Sequence, residues 1–434
     1  MALTLVVAGL LAPSGLAAQE ARRRWDRLCQ IRQEKFDRIL PEVMRENGID
    51  MWIVAQKEGH NDPMYEHLGR GYTGSIGYYV FTDRGGERIE RVALGITGGM
   101  LEQCRSYDRV DGGADLRAFV EERAPTRIGI NISDEIGAAD GLTHTLYLHL
   151  VKTLGPGYAP RLVTAEKLVS DYRSRHVASE LVAFGEAGEL SRTIAERALS
   201  NEVITPGKTT LAEVAWWMWD QLLSRGLGSS FDMPSVYVTG PDGIEATSNE
   251  RIIQRGDLLI IDWGVGYLNF WTDVKRMAYV LKAGEHAVPA GFQRAFDRAV
   301  EVREMIRRTI KPGGTAAAML ERLNQSVARM PGFALMKGFN QPGTDPGLTD
   351  VIIGCHSVGD LGHGSGPSIA WFNPQRLTFQ IRPTNLFSIE FFAYTAAPEF
   401  GGKKVRIPLE DNAVVTDRGV EWLYPVNQRI LLVK

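Results

Sequence analysis

The chain has 434 residues, of which 44% are hydrophobic and 23% are charged, as is ordinary for a soluble globular protein. This length predicts two or three domains and is ample for a sizeable core. A formal net charge of −3 provides no basic field and argues against nucleic acid as a partner. Beyond the N-terminus, no stretch reaches the roughly 18 apolar residues that would span a membrane.

The N-terminal segment MALTLVVAGLLAPSGLAAQE has the apolar run and the small residues of a secretory signal peptide. It predicts a signal peptide over residues 1–18, cleavage after Ala17 or Ala18, and an exported protein, periplasmic or secreted. A signal peptide normally begins with Lys or Arg, whereas no charged side chain precedes Glu20 here. The alternatives are a start further upstream and an apolar N-terminus of a cytoplasmic protein.

Residues 20–168 alternate between helical and strand-like patterns and predict an α/β domain without a motif of assignable chemistry. Apolar residues at helical spacing predict a helix over Ala21–Asn47. Strands and helices are then predicted at Met51–Ala55, Gly77–Phe81, Val92–Ile96, Ile128–Ile132, Asp115–Glu122 and Leu142–Leu154.

The three cysteines, Cys29, Cys104 and Cys355, are an odd number without zinc-finger spacing. Their spacing predicts no disulfide framework. Cys355 is expected to be a buried apolar residue that points away from the neighbouring His356.

The C-terminal part, from Val169 onwards, shows signs of two similar halves. The segment ITPGKTT at residues 204–210 recurs as IKPGGTA at residues 310–316. Each copy follows a predicted amphipathic helix, Glu180–Leu199 or Ala290–Arg308. Another helix comes next in each half, followed by β-rich sequence that carries two carboxylates.

Five side chains that commonly bind metals occur in order in this part: Asp262, Asp273, His356, Glu390 and Glu410. Four carboxylates and one imidazole exceed the needs of a mononuclear site and suit two divalent ions that share a hydroxide. The segments LLIIDWG and FWTDVKRMAYV predict neighbouring antiparallel strands, on which Asp262 and Asp273 converge. A carboxylate after four apolar residues is costly to bury without a cation.

A glycine-rich loop between the two acidic pairs carries His356 and His363. Because two of the eight histidines fall here, a role in the site is favoured over a structural role. Glu390 ends the largely apolar run LFSI, and Glu410 follows RIPL. Arg406 is predicted either to pair with a ligand carboxylate and orient it, or to be an exposed charge.

The order Asp, Asp, His, Glu, Glu resembles that of the pita-bread metallopeptidases: aminopeptidase P, prolidase and methionine aminopeptidase, with creatinase as a relative without metal. The resemblance is carried by NERIIQRGDLLIIDWG, WTDVKR, HSVGDLGH, FSIE and VRIPLEDNAVVT. It implies an α/β fold class with a creatinase/prolidase-type α/β domain at residues 20–168. A pita-bread catalytic domain, α+β with a pseudo-twofold axis, would cover residues 169–434.

The resemblance also implies roles for individual residues. Asp262 would chelate one ion, His356 and Glu390 the other, and Asp273 and Glu410 would bridge the two. Glu390 would also shuttle protons for the hydroxide, and His363 would donate to the tetrahedral intermediate. Mn is the expected ion, with Co, Zn or Fe as alternatives. A small peptide substrate and a homodimer are implied as well.

Around the ligands, the sequence departs from the family pattern. The histidine expected four residues before Asn249 is Glu245, and the histidine expected four residues before His356 is Ile352. The proline expected after the fourth ligand is Phe391. The substrate-binding residues therefore stay unknown. We predict an Xaa-Pro aminopeptidase or dipeptidase; the alternatives are a non-peptidase enzyme on the same scaffold, such as an amidohydrolase or a lyase, and a metal-binding pseudoenzyme.

Overall fold

The computed structural model describes residues 15–113 and 115–434, with side chains from residue 19 onwards. Most of the predicted signal peptide, residues 1–14, lies outside the described residues. Within the described part of the chain, no helix is both long enough and apolar enough to cross a membrane.

The N-terminal part is a six-stranded mixed sheet packed between helices. Its helices are α1 (Gly15–Arg38), α2 (Leu40–Glu46), α3 (Tyr65–Leu68), α4 (Gly99–Gln103), α5 (Leu116–Arg123), α6 (His144–Tyr158) and α7 (Glu166–Ser174). Its strands are β1 (Met51–Lys57), β2 (Tyr72–Thr82), β3 (Glu90–Thr97), β4 (Arg109–Asp111), β5 (Ile128–Ile130) and β6 (Leu162–Thr164). The strand order is β4-β3-β2-β1-β5-β6. Alternate residues of β1 enter two separate cores, Trp52 and Val54 in one, Met51 and Ile53 in the other.

The helix predicted over Ala21–Asn47 is two helices in the structure. Helix α1 ends at Arg38 and α2 begins at Leu40, with Pro41 in its first turn. Proline lacks a backbone N–H and its ring clashes with the carbonyl of the preceding turn, so it interrupts a continuous helix. The other helices and strands predicted in this part are confirmed in position.

Cys29 and Cys104 form a disulfide, so the prediction of no disulfide framework is wrong for this pair. Cys29 lies in α1, and Cys104 follows α4, 75 residues later in the sequence. Their contact arises from the packing of α1 on the domain, which spacing alone does not reveal. Cys355 is a buried free thiol, as predicted.

The C-terminal part contains two larger sheets, each backed by a pair of helices. The helices are α8 (Ala178–Ala198), α9 (Leu211–Leu223), α10 (Ala290–Thr309) and α11 (Ala316–Arg329). The first sheet has the order β22-β13-β10-β8-β9, with β8 (Ser235–Gly240), β9 (Gly243–Glu245), β10 (Leu258–Trp263), β13 (Val274–Val280) and β22 (Leu431–Val433). A small three-stranded sheet contains β7 (Gly228–Ser229), β11 (Val265–Tyr267) and β12 (Phe270–Trp271).

The second large sheet follows the path β19-β18-β15-β17-β20-β21, with two further strands on β15. Its strands are β14 (Phe333–Leu335), β15 (Thr349–Ser357), β16 (Ile369–Ala370), β17 (Leu386–Ser388), β18 (Phe391–Ala396), β19 (Lys404–Leu409), β20 (Asn412–Thr416) and β21 (Gly419–Trp422). Helices α10 and α11 pack on this sheet, and α8 and α9 pack on the first one.

The two repeated proline-glycine segments occupy corresponding places in the two halves. Residues 204–210 join α8 to α9, and residues 310–316 join α10 to α11. In each case a threonine at the end of the segment, Thr210 or Thr315, caps the next helix with its hydroxyl oxygen. This correspondence agrees with the two similar halves indicated by the sequence.

Helix α7 leads the chain from the N-terminal part into the C-terminal part, and the boundary predicted at residues 168 and 169 falls within it. Arg173 of α7 donates from Nε to Asp360 Oδ2 at 2.7 Å. Both side chains are buried, with 4% and 1% exposed. Because Asp360 belongs to the glycine-rich loop that carries His363, this ion pair ties the loop to α7.

Substitution of Arg173 by methionine is expected to lower the free energy of unfolding by about 3–5 kcal/mol, because it leaves the Asp360 carboxylate buried without its cation. Urea denaturation followed by circular dichroism measures the change. The matched control is Arg418→Met, whose ion pair with Glu421 is on the surface and whose side chain is 84% exposed; it should cost less than about 1 kcal/mol. Equal losses in the two variants would contradict a structural role for the buried pair.

Candidate metal centre

The first two predicted ligands lie on neighbouring antiparallel strands, as the sequence indicates. Asp262 lies in β10, and Asp273 immediately precedes β13. The register pairs Asp262 with Lys275 and Trp263 with Val274. Because side chains alternate along a strand and opposed residues share a face, Asp273 and Lys275 lie on the same face of the sheet as Asp262.

The second pair of carboxylates occupies matching positions in the other large sheet. Glu390 lies between β17 and β18, and Glu410 lies between β19 and β20. Strands β18 and β19 are antiparallel and pair Phe391 with Leu409, so the two glutamates lie next to each other just beyond this pair. The backbone N–H of Lys275 donates to the Glu410 carbonyl at 3.1 Å and links the two sheets at this point.

His356 in β15 joins the two acidic pairs. Its Nε2 lies 3.2 Å from Glu410 Oε1, 3.8 Å from Asp273 Oδ2 and 3.9 Å from Glu390 Oε2. Its Nδ1 lies 3.0 Å from the Ser357 carbonyl oxygen, to which it can donate a hydrogen bond. That bond fixes the ring and leaves the Nε2 lone pair free to bind a metal.

The structure therefore brings all five predicted ligands into one cluster. Ligand atoms lie within 4.8 Å of one another in three overlapping groups: His356, Glu390 and Glu410; Asp262, Asp273 and Glu410; and Asp273, His356 and the exposed His363. Among the residues that the structure describes, the buried Oδ1 atoms of Asp262 and Asp273 have no hydrogen-bond partner. Buried carboxylate oxygens without a donor need a cation, so this donor set fits divalent metal binding.

Lys275 is a member of this cluster that the sequence motifs did not single out. Its Nζ lies 3.0 Å from Asp262 Oδ2 and 2.8 Å from Glu390 Oε1, and it also contacts Glu410 Oε2. The alternation along TDVKR was the available signal, because it places Lys275 on the same side of the strand as Asp273.

Burial and neighbouring charges shift the pKa values of the residues in the cluster. Burial and the nearby charges of Glu410 and Asp262 raise the pKa of Asp273 well above its usual range. Burial opposes ionisation of Glu410, but Lys275 and His356 outweigh it and lower the pKa of that carboxyl. Burial likewise opposes a charge on His356, yet the Glu410 carboxylate outweighs it and raises the imidazole pKa. The ionised cluster is therefore stable only with cations beside it.

Neighbouring polar groups orient the carboxylates. Ser388 Oγ donates to Glu410 Oε1 at 2.6 Å, and the Tyr237 hydroxyl donates to Asp262 Oδ2 at 3.1 Å. A side chain on Gly354 would place its Cβ 3.1 Å from Glu390 Oε2, so the glycine makes room for this glutamate. Such groups fix the position of metal ligands.

Arg406 makes no ion pair with a predicted ligand carboxylate within the part of the chain that the structure describes. Its side chain is buried, and its guanidinium lies 4.3 Å from the centre of the Phe392 ring. Neither of the two alternatives predicted for Arg406 holds. The cation that pairs with the carboxylates is Lys275, because β13 carries it onto the face of the site.

His363 lies at the exposed edge of the cluster, where it forms a possible ligand group with Asp273 and His356. Its ring meets His356 edge-to-face with centroids 4.6 Å apart, and its Nε2 lies 3.8 Å from Asp273 Oδ2. The side chain is 64% exposed. This position leaves His363 free to meet a molecule that enters from solvent.

An aromatic surface extends from His363 along the outer side of the site. It consists of Phe339, Trp371, Phe372 and Phe392, with neighbouring ring centres 5.4–6.0 Å apart. Ile352, at the position where the family pattern has a histidine, lines a cavity of about 350 Å³ together with Phe339 and Trp371. The sequence motifs did not indicate this surface, because its members come from three separate segments.

Glu245, the other residue that replaces an expected histidine, is exposed at the end of β9. Its Oε2 accepts a hydrogen bond from Arg251 Nε at 2.5 Å. The structure therefore gives Glu245 a partner within its own segment, and its relation to a substrate stays open as predicted.

The fold and the cluster define a class of protein. An α/β N-terminal domain precedes a catalytic domain in which two sheets each contribute a pair of carboxylates, which is the pita-bread architecture predicted from the sequence. Residues 183–417, more than half of the chain, match metallopeptidase family M24. The chain therefore belongs to metallopeptidase family M24. No curated protein sequence matches it.

Solved structures with the same fold support the two-domain architecture. An X-Pro aminopeptidase from Thermotoga maritima superposes with a TM-score of 0.63 at 18% identity, over 90% of this chain and 100% of that one. A prolidase from Pyrococcus horikoshii gives a TM-score of 0.59 at 19% identity, over 92% and 100%. An Xaa-Pro dipeptidase from Bacillus anthracis gives 0.58 at 19% identity, over 92% and 99%.

Proposed function

We propose that this chain is a metal-dependent peptidase of the Xaa-Pro aminopeptidase or dipeptidase type. The observation that carries the proposal is the convergence of the five predicted ligands in a chain of family M24. The names of the similar structures, an X-Pro aminopeptidase, a prolidase and an Xaa-Pro dipeptidase, support proline-containing peptides as the substrate class.

The cluster of carboxylates and His356 would hold divalent metal, with Mn as the expected ion and Co, Zn or Fe as alternatives. Bound divalent metal polarises a scissile carbonyl and lowers the pKa of water. The finer proposal, two ions that share a hydroxide, rests on the complement of four carboxylates and one imidazole and on the resemblance to the family.

The residues of the chain have separate tasks in this proposal. Burial raises the pKa of Glu390, which suits a carboxyl that accepts a proton from water and returns it to the leaving amine. His363, at the exposed edge of the cluster, would donate a hydrogen bond to the oxygen on which charge develops. The aromatic surface beside Ile352 would pack against an apolar ring such as that of proline.

A library of short peptides, incubated with the purified chain and Mn²⁺, Co²⁺ or Zn²⁺, tests the substrate class by mass spectrometry. Cleavage before proline is expected in Xaa-Pro or Xaa-Pro-Xaa peptides. A chelator should abolish it, and added metal should restore it. Metal-dependent turnover of another substrate, without any cleaved peptide, would favour the second candidate, an amidohydrolase or a lyase on this scaffold. This candidate is motivated by Ile352 and the exposed Glu245, which replace expected histidines.

Replacing His363 by alanine is expected to lower kcat by about 10²–10³-fold, as loss of one donor to a developing oxyanion does. Bound metal, measured by elemental mass spectrometry, should not change, because the resemblance gives His363 the role of a hydrogen-bond donor and not of a ligand. His286→Ala is the matched control on an exposed histidine. Loss of metal from the His363 variant would instead make this residue a ligand.

Export of the protein is part of the proposal, and the Cys29–Cys104 disulfide supports it because disulfides persist in oxidising compartments. The exported, denatured protein should react with a thiol reagent at Cys355 alone, whereas reduction should expose all three cysteines. Intact mass after alkylation measures this, and three reactive thiols before reduction would contradict the proposal. The predicted homodimer can be checked on the same sample by light scattering.

A further inference from the structure

Lys275 lies among the predicted metal ligands. Its ammonium group is within hydrogen-bond distance of Asp262 Oδ2 and Glu390 Oε1, and it contacts Glu410 Oε2. An ammonium has three N–H donors, and three carboxylates meet them. We propose that Lys275 takes the place of one of the two divalent ions, so that the centre binds a single ion beside a fixed protein cation. This inference rests on the proposed metal-dependent function.

The backbone fixes the position of Lys275. It stands opposite Asp262 in the pairing of β10 with β13, two residues after Asp273. Its own N–H is bound to the Glu410 carbonyl, and only 3% of the residue is exposed. The side chain therefore begins inside the cluster, and the ion-pair partners of its ammonium among the described residues are the carboxylates of Asp262, Glu390 and Glu410.

The carboxylate oxygens divide between Lys275 and His356. Glu390 Oε1 lies 2.8 Å from Lys275 Nζ. Glu390 Oε2 lies 3.9 Å from His356 Nε2. Glu410 likewise gives Oε2 to the lysine, while its Oε1 lies 3.2 Å from His356 Nε2. One oxygen of each glutamate therefore remains for a metal on the histidine side.

The ion would lie among His356, Glu390 and Glu410, whose ligand atoms lie within 4.8 Å of one another, and Asp273 Oδ2 is also close to His356. Asp273 Oδ2, Glu390 Oε2 and Glu410 Oε1 lie 3.2–3.9 Å from His356 Nε2. Such separations suit donors around an ion with bonds of about 2.0–2.2 Å. Asp262 then serves as the partner of Lys275 rather than as a chelator.

A second ion on the Asp262 side would compete with Lys275 directly. It would need oxygens of Asp262 and Glu410, of which Asp262 Oδ2 and Glu410 Oε2 already meet the ammonium. It would also bring a double positive charge next to the ammonium in a buried site, where like charges repel strongly. The Oδ1 atoms of Asp262 and Asp273, which have no hydrogen-bond partner among the described residues, are the atoms through which a second ion would have to bind.

Mn²⁺ titration of the full chain, freed of metal by a chelator, tests the proposal with a readout independent of activity. Bound Mn²⁺ is counted after gel filtration, and electron paramagnetic resonance distinguishes isolated from magnetically coupled ions. We expect one isolated ion per chain in the wild type and in Asp262→Asn. Lys275→Ser should bind two coupled ions, because it opens the space and removes the charge. Lys208→Met, an exposed lysine, is the control and should bind one.

Two coupled ions in the wild type would overturn the proposal and leave the metal-dependent function intact. Loss of the ion in Asp262→Asn would also overturn it, because Asp262 would then be a ligand. No bound ion in the wild type would instead defeat the proposed function itself. If Lys275→Ser fails to fold, the wild type and Asp262→Asn still decide between one ion and two.

Discussion

Replacing Asp273 by alanine is expected to abolish both peptide cleavage and metal binding. Asp273 is the carboxylate that faces both sides of the cluster, with Oδ2 3.8 Å from Nε2 of both His356 and His363 and Oδ1 buried without a donor. The charge stabilisation that a metal supplies amounts to several kcal/mol. Because about 1.4 kcal/mol corresponds to a tenfold rate change, kcat/KM should fall by about 10³-fold or more.

Initial rates on an Xaa-Pro-containing peptide and the metal content of the same preparation measure these effects. Asp417→Ala, an aspartate on the surface, controls for the substitution itself and should keep both activity and metal. Both variants should remain folded, since removing Asp273 also removes a carboxylate whose pKa is raised by burial and by its acidic neighbours. Normal activity in Asp273→Ala would refute its central place in the site.

Replacing Glu390 by glutamine is expected to lower kcat by about 10²–10⁴-fold, the contribution of a positioned general acid–base group. Glutamine retains an oxygen and the shape of the side chain, but it cannot take up and return a proton. The space beside Gly354 is unchanged by this substitution, so the side chain should keep its place. The effect should therefore appear in kcat far more than in KM.

Steady-state kinetics with and without saturating metal distinguish a loss of proton transfer from a loss of metal binding. Glu58→Gln is the matched control on an exposed glutamate. If saturating Mn²⁺ restores the rate of Glu390→Gln, the glutamate acts only as a ligand, and proton transfer must be assigned to another group.

The sequence alone determined those helices, strands and metal ligands that a local pattern of residues specifies. The run LLIIDWG predicts a strand with an acidic end, and β10 has this form because apolar residues fill both faces of a buried strand. The five ligands were recognisable by their order and by the apolar or glycine-rich segments beside them. The corresponding proline-glycine segments likewise depend on local turn and capping chemistry.

Only the tertiary structure decided which residues distant in the sequence come into contact. Cys29 forms a disulfide with Cys104, 75 residues later in the sequence, because α1 packs on the N-terminal domain. Arg406 packs on Phe392 because β19 pairs with β18. Lys275 enters the site because the register between β10 and β13 places it opposite Asp262. A shift of one residue would turn Lys275 to the other face of the sheet. The sequence by itself therefore determined that this protein has a metal-binding set of residues, whereas strand register, a long-range property, decided that a lysine stands among them.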